Sequence, residues 1–294
     1  MTSTDAAPSP PPAAALAPTW FVDADHPAVI EFASRAVSGA GDVRTRAVRL
    51  FYAVRDEIRY TAYGLDMRPE AFRASQVLAS GRGWCVTKSC LLAAAARAVG
   101  IPCRLGYANV RNHLATEKLL RAMGTDIFYY HGYNELWIDD RWVKATVAFN
   151  RSLCEKARIA PQEFDGVHDS LYHPFDLEGR RHMEYLHDYG AVDDVPHAEI
   201  VAKFVEVYPR MVELTTNSGA RGDKAHVRSE AGGDSEAGSS FKGDSGFEAD
   251  SGFEADSDFE ADSGFEADSD FEADSDFEAD VAREAADKDD QRGR

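Results

Sequence analysis

Cys85 and His131 are the two residues whose types and settings could together make and use a thiolate. Cys85 follows Gly81-Arg82-Gly83-Trp84 and opens a helix-forming run that continues to Val99, which places it in the first turn of a helix. There the unpaired backbone N–H groups and the positive end of the helix dipole favour a thiolate over a thiol. A thiolate needs a base to take and return its proton, and a third group to hold that base in one tautomer. His131, at the start of an expected strand, is the candidate base. An oxyanion formed by attack of Cys85 would need the Cys85 backbone N–H and one further donor, for which Trp84 and Gln76 are upstream candidates. The competing reading of Cys85 is a small buried residue where a loop turns into a core helix, since free cysteine is among the most buried residue types.

The elements that must position this pair can be read from spacing. Pro27 opens a helical pattern through Val29, Ile30, Phe32 and Val37, and Asp42 is a suitable N-cap for a second helix carrying Ala47, Leu50, Phe51, Val54 and Ile58. Tyr60 to Gly64 reads as an extended exit, and Pro69 to Leu78 as a short helix. The Cys85 helix is apolar nearly all round, as a central buried helix would be, and Gly100-Ile101-Pro102 stops it. Cys103 to Val110 is expected as a strand and Asn112 to Met123 as a helix. Tyr129 to Ile138 and Trp142 to Phe149 are expected as a hairpin turning at Asp139-Asp140-Arg141. Past Asn150 the pattern weakens into loops and short helices until a last amphipathic helix at Ala198 to Val207. Helices first and antiparallel strands afterwards indicate an α+β class, not a βαβ repeat.

The charge is unevenly placed. The whole chain of 294 residues carries a net −19, of which residues 221–294 contribute −16 and residues 1–220 only −3. The part expected to fold has no concentrated basic face, which gives no support to nucleic-acid binding. No stretch approaches the roughly 20 apolar residues needed to span a bilayer, and residues 1–19, rich in Ala and Pro, lack the basic and apolar regions of a signal peptide. The four cysteines, Cys85, Cys90, Cys103 and Cys154, are too few for a disulfide scaffold, and a cytoplasmic protein with reduced thiols is expected. Cys90, Cys103 and Cys154 read as packing residues.

Phe-Glu-Ala-Asp recurs six times at a period of six, beginning at Phe247, Phe253, Phe259, Phe265, Phe271 and Phe277. With one apolar residue in six the segment cannot bury enough surface to fold alone, and it is expected to be a disordered acidic tail that could dock a basic partner. The expected organisation is a disordered arm at 1–19, one domain at 20–215 and the tail at 216–294. His168, His173, His182 and His187 crowd one segment with Asp165, Asp169, Asp176 and Asp188, but without metal-ligand spacing, and no metal is assigned.

Three further motifs carry a resemblance. The run from Phe51 to Tyr60, the run Gly83-Trp84-Cys85 followed by Leu91-Leu92 and Arg97 to Arg104, and His131-Gly132-Tyr133-Asn134-Glu135-Leu136-Trp137 followed by Trp142-Val143-Lys144 occur in that order. Over about residues 45 to 150 the chain resembles the transglutaminase-like superfamily, in particular its bacterial stand-alone proteins. The resemblance implies a papain-like fold, a central nucleophile helix packed on an antiparallel sheet, and a Cys-His-Asp triad that transfers an acyl group from an amide without a cofactor. Cys85 would be the nucleophile and His131 the general base and acid. The sequence departs from the family at the third position, where Thr146 stands in place of Asp. Threonine can accept from an imidazole N–H but carries no charge, and losing the orienting carboxylate costs on the order of 10^4 in rate in serine proteases. Asn150 could substitute, or Asp165 or Asp169 could fold back. The expected activity is therefore cysteine-dependent hydrolysis or acyl transfer on a peptide or protein amide, through a thioester on Cys85. The alternative is a non-catalytic peptide-binding module of the same fold, its acidic tail mediating interactions.

Overall fold

The computed structural model describes residues 11–172 and 176–211. Its elements run α1 (Pro27–Ala36), α2 (Val43–Glu57), β1 (Arg59–Tyr60), α3 (Ala74–Ser80), β2 (Arg82–Gly83), α4 (Cys85–Ala98), β3 (Cys103–Asn112), α5 (Glu117–Met123), β4 (Ile127–Ile138), β5 (Arg141–Ala145), α6 (Arg151–Ala157), β6 (Met183–Val192) and α7 (His197–Val207). The helix starts follow the capping rules: Asp42 Oδ1 accepts from the Thr45 N–H at 2.8 Å, and Pro27 occupies the first turn of α1. The hairpin between β4 and β5 turns through Asp139 and Asp140, both at positive φ, which short acidic side chains tolerate.

Helix α4 is the axis of the domain. Nearly every one of its residues is buried, because α1, α2 and α3 cover one side while β3 and β4 cover the other. Its four consecutive alanines lack the bulk to hold those neighbours away. The sheet is antiparallel in the order β5-β4-β3-β6, and a separate two-strand parallel pair joins β1 to β2 just before Cys85. The α+β class and the central helix packed on an antiparallel sheet are as the sequence indicates.

Four expectations need correction. Strand β6 lies where loops and short helices were expected; it is an edge strand whose residues are mostly exposed, so no alternation of apolar and polar marks it. The helix expected from Asn112 begins only at Glu117, because Asn112 still pairs with Met183 in the sheet and Thr116 caps the helix. Strand β5 ends at Ala145 instead of Phe149: at Thr146 the chain pairs with Ser170, whose carbonyl accepts the Thr146 N–H at 2.9 Å. The described part of the expected N-terminal arm is folded, with Ala15 fully buried and Arg97 Nη1 donating to the Ala17 carbonyl at 2.8 Å. Residues 1–10, His173 and the repeat tail lie outside the described residues, as do residues 212–215 of the expected domain. Among the described residues no helix is long and apolar enough to cross a membrane.

Lys88, one turn beyond Cys85 in α4, is fully buried and donates through Nζ to the Arg55 carbonyl at 2.9 Å and the Ile58 carbonyl at 2.5 Å. It thereby satisfies orphan carbonyls at the end of α2. Burial pushes its pKa down to about 7. The unfolded chain, with an ordinary lysine, binds a proton over a pH range in which the folded chain does not. Stability should therefore rise with pH from about 7 to about 10 and be flat in this respect below 7. Urea titrations across that range should show the rise, and Lys88→Met should remove the pH dependence while costing the two carbonyl bonds.

Candidate active site

Cys85 is the first residue of α4, and the turn into it is fixed locally. The Trp84 backbone N–H donates to Thr87 Oγ1 at 3.0 Å, and Gly83 is packed so closely that an added Cβ would stand 2.7 Å from the same hydroxyl. Cys85 lines a narrow apolar pocket together with Tyr60, Trp84, Phe128, Phe204 and Tyr208. Tyr208 ties the end of α7 over this pocket: its hydroxyl donates to the Ile127 carbonyl at 2.6 Å and accepts from the Tyr129 N–H at 2.8 Å.

The expected low pKa of Cys85 is overturned. Burial outweighs the helix terminus and pushes the thiol up to about 11, although the backbone N–H groups of Gly132, Val86 and Cys85 itself pull the other way. Burial raises Cys103 and Cys154 further, to about 12, and Cys90 well above its ordinary value.

His131 lies on β4 beside Gly132, and this glycine is where strand and helix touch. A Cβ on Gly132 would stand 2.9 Å from the Cys85 carbonyl oxygen and 3.0 Å from Val86 Cα. The approach depends on there being no side chain at that position. Tyr130, immediately before His131, has a left-handed φ of 53°, and the register slips between Ala108 and Val110 on the facing strand. A bulge of this kind re-aims side chains, here the histidine. The ring is buried, and burial alone lowers its pKa to about 3, so it is neutral at physiological pH.

The ring's partners differ from those expected. His131 Nε2 lies 3.0 Å from the Tyr172 hydroxyl, and Nδ1 has no hydrogen-bond partner among the described residues. Thr146 is fully buried in the neighbouring segment, and no hydrogen bond joins its hydroxyl to the ring. Asn150 uses its amide on the Tyr60 N–H and Ser152 Oγ, pinning β1 to the start of α6. Asp165 accepts from its own loop at Val167 and His168, and Asp169 from the Lys144 N–H. None of these four expected candidates orients His131.

The oxyanion candidates also change. Gln76 is exposed on α3, outside the pocket that Cys85 lines. The Trp84 backbone N–H is committed to Thr87, and its indole packs against Phe72 and Phe204. The donors that face the Cys85 sulfur are the backbone N–H groups of Cys85, Val86 and Gly132. Of these only the helix-start amide of Cys85 was legible in advance; the strand amide depends on which residue of β4 touches α4.

Among the crowded histidines, His168 pairs with Asp165, His187 stacks edge-on against Tyr189, and His182 is buried near Tyr172. Among the described residues no three His, Cys, Asp or Glu side chains converge as a metal-ligand set.

No curated protein matches this chain. A crystal structure from Cytophaga hutchinsonii described as "a Putative Cysteine Protease" aligns at 17% identity with a TM-score of 0.34, covering 46% of this chain and 45% of its own. The chain therefore spans less than half the length of that protein. The sequence itself matches the Transglutaminase-like superfamily core over residues 30–147, from α1 through β5 and Thr146 but short of Tyr172, β6 and α7. Residues 30–147, which hold the Cys85 helix, the His131 strand and the return strand, thus carry the match to a Transglutaminase-like superfamily domain.

Proposed function

We propose that this protein cleaves peptide or protein amides through a thioester on Cys85, with His131 as general base and acid. The observation that carries this reading is the contact of Gly132 with the Cys85–Val86 peptide, which sets the histidine's strand directly on the start of the cysteine's helix. Chemistry would begin from a neutral pair, thiol and imidazole. His131 takes the Cys85 proton as sulfur attacks the amide carbonyl, and returns it to the departing amine. The amides of Cys85 and Val86, at the positive end of α4, and of Gly132 would receive the developing oxyanion. Water then releases the acyl group. Hydrolysis is preferred to crosslinking because the apolar pocket lined by Cys85 offers an incoming amine no charged side chain. The same pocket suits an apolar side chain next to the bond that is cut.

A second reading, a peptide-binding module without turnover, draws support from the buried, high-pKa thiol and from Thr146 at the carboxylate position. The two separate on one experiment. Incubation with the activated p-nitrophenyl ester of an N-acyl apolar amino acid, followed by intact mass and peptide mapping, should show one acyl group on Cys85 and none in Cys85→Ala. Acylation spread over Cys90, Cys103 and Cys154, or absent, would favour the binding module.

A further inference from the structure

We propose that Tyr172 is the positioning residue of this site: through its hydroxyl it holds His131 by Nε2, the task a carboxylate performs elsewhere in the family, and leaves Nδ1 as the nitrogen offered to Cys85. The inference rests on the catalytic reading above and adds to it a residue outside the family-matched segment.

The placement of Tyr172 follows from the way the sheet edge is built. Where β5 ends, residues 144–146 are paired by the segment around Ser170, whose N–H donates to the Lys144 carbonyl at 2.8 Å and whose carbonyl accepts from Thr146. Two residues on, that segment delivers Tyr172 into the core. Its ring packs edge-on to the His131 ring at 4.8 Å between centroids and lies 5.2 Å from the Phe149 ring, and its hydroxyl reaches His131 Nε2 at 3.0 Å. Tyrosine and histidine are both buried, 5% and 3% exposed. Burial keeps the phenol protonated, with its pKa well above the ordinary value.

Only one neutral tautomer of His131 can act on the thiol in this arrangement. With the proton on Nε2, the ring donates to Tyr172 Oη and Nδ1 keeps a lone pair, which the structure leaves without a partner. With the proton on Nδ1, the tyrosine would donate to Nε2 and no basic nitrogen would remain for Cys85. In the working tautomer the Nε2–H to Oη bond is present before proton uptake and persists in the imidazolium, so the ring need not turn during the reaction. A phenol supplies orientation without negative charge. This agrees with a histidine whose pKa burial lowers and no anion raises.

The test uses the full chain. In the unsubstituted protein, long-range 15N–1H correlation spectra should show His131 with its proton on Nε2; a proton on Nδ1 would overturn the proposal without need of a variant. Tyr172→Phe keeps the ring packing and removes one hydrogen bond, so iodoacetamide should alkylate Cys85 roughly tenfold more slowly at neutral pH. The same variant should show His131 as a mixture of tautomers, a change that loss of packing alone would not produce. An unchanged rate and an unchanged tautomer in Tyr172→Phe, alongside slowed alkylation in His131→Ala, would reject Tyr172 and leave the catalytic reading standing. Alkylation of Cys85 indifferent to His131→Ala would reject the catalytic reading, and this proposal with it.

Discussion

His131→Asn should lower amide cleavage by roughly 10^2- to 10^4-fold, the range contributed by a general acid–base group, while leaving the fold intact at neutral pH. Asparagine fills much of the same space but cannot take the Cys85 proton. The same substitution should change the acid response of the protein. His131 is neutral in the folded state down to about pH 3, whereas in the unfolded chain it takes up its proton near its ordinary value of about 6.5. The unfolded state therefore binds more protons between those two values. Stability should be complete above about pH 6.5 and be lost as pH falls toward 3, by up to about 5 kcal/mol. Urea unfolding at several pH values, run on both proteins, should show this acid slope in the parent and a much shallower one in His131→Asn. Equal slopes would mean that the buried ring is not the group that titrates.

Gly132→Ala should be the most damaging single-methyl change near the site. The new Cβ would face backbone atoms, the Cys85 carbonyl oxygen at 2.9 Å and Val86 Cα at 3.0 Å, and neither can swing aside as a flexible side chain would. Strand β4 and helix α4 must separate by a few tenths of an ångström, at a cost of roughly 1–3 kcal/mol. The Gly132 N–H would also move relative to the Cys85 sulfur, and displacement of a catalytic pair on the ångström scale can cost on the order of 10^2 in rate. Thermal unfolding should record the first effect and acylation of Cys85 the second. A variant with the parent's melting temperature and acylation rate would show that the strand–helix contact has slack that these distances deny. Gly132 is part of the family-like His131 motif, yet only the packed structure assigns a reason to it.

Much of the frame was legible from local signals. Pro27, Asp42 and Gly100 mark helix ends through backbone rules that act within one turn, and Asp139-Asp140 marks a hairpin because its two residues tolerate positive φ. The alanine-rich run after Cys85 announced a helix buried on all sides, and α4 is one. What failed were readings in which a distant segment competes with a local preference. Strand β6 has no alternation of its own and exists because β3 offers it an edge. Strand β5 stops early because Ser170 takes the backbone groups of residue 146.

The same division runs through the site. The sequence by itself determined that Cys85 starts a buried helix and that His131 belongs to a strand of the following sheet, since helix caps, helical periodicity and the family motifs are all local. The family resemblance also put Thr146 where a carboxylate is expected. Only the tertiary structure decided the protonation of the pair, because burial is a property of everything packed around α4 and here outweighs the helix terminus, raising the thiol and lowering the imidazole. Only the tertiary structure, likewise, brought Tyr172 to His131 Nε2 in place of Thr146, Asn150 or a folded-back aspartate. Forty-one positions separate those two rings in the chain, and no rule of spacing acts over that distance. The pairing at Ser170 brings them together.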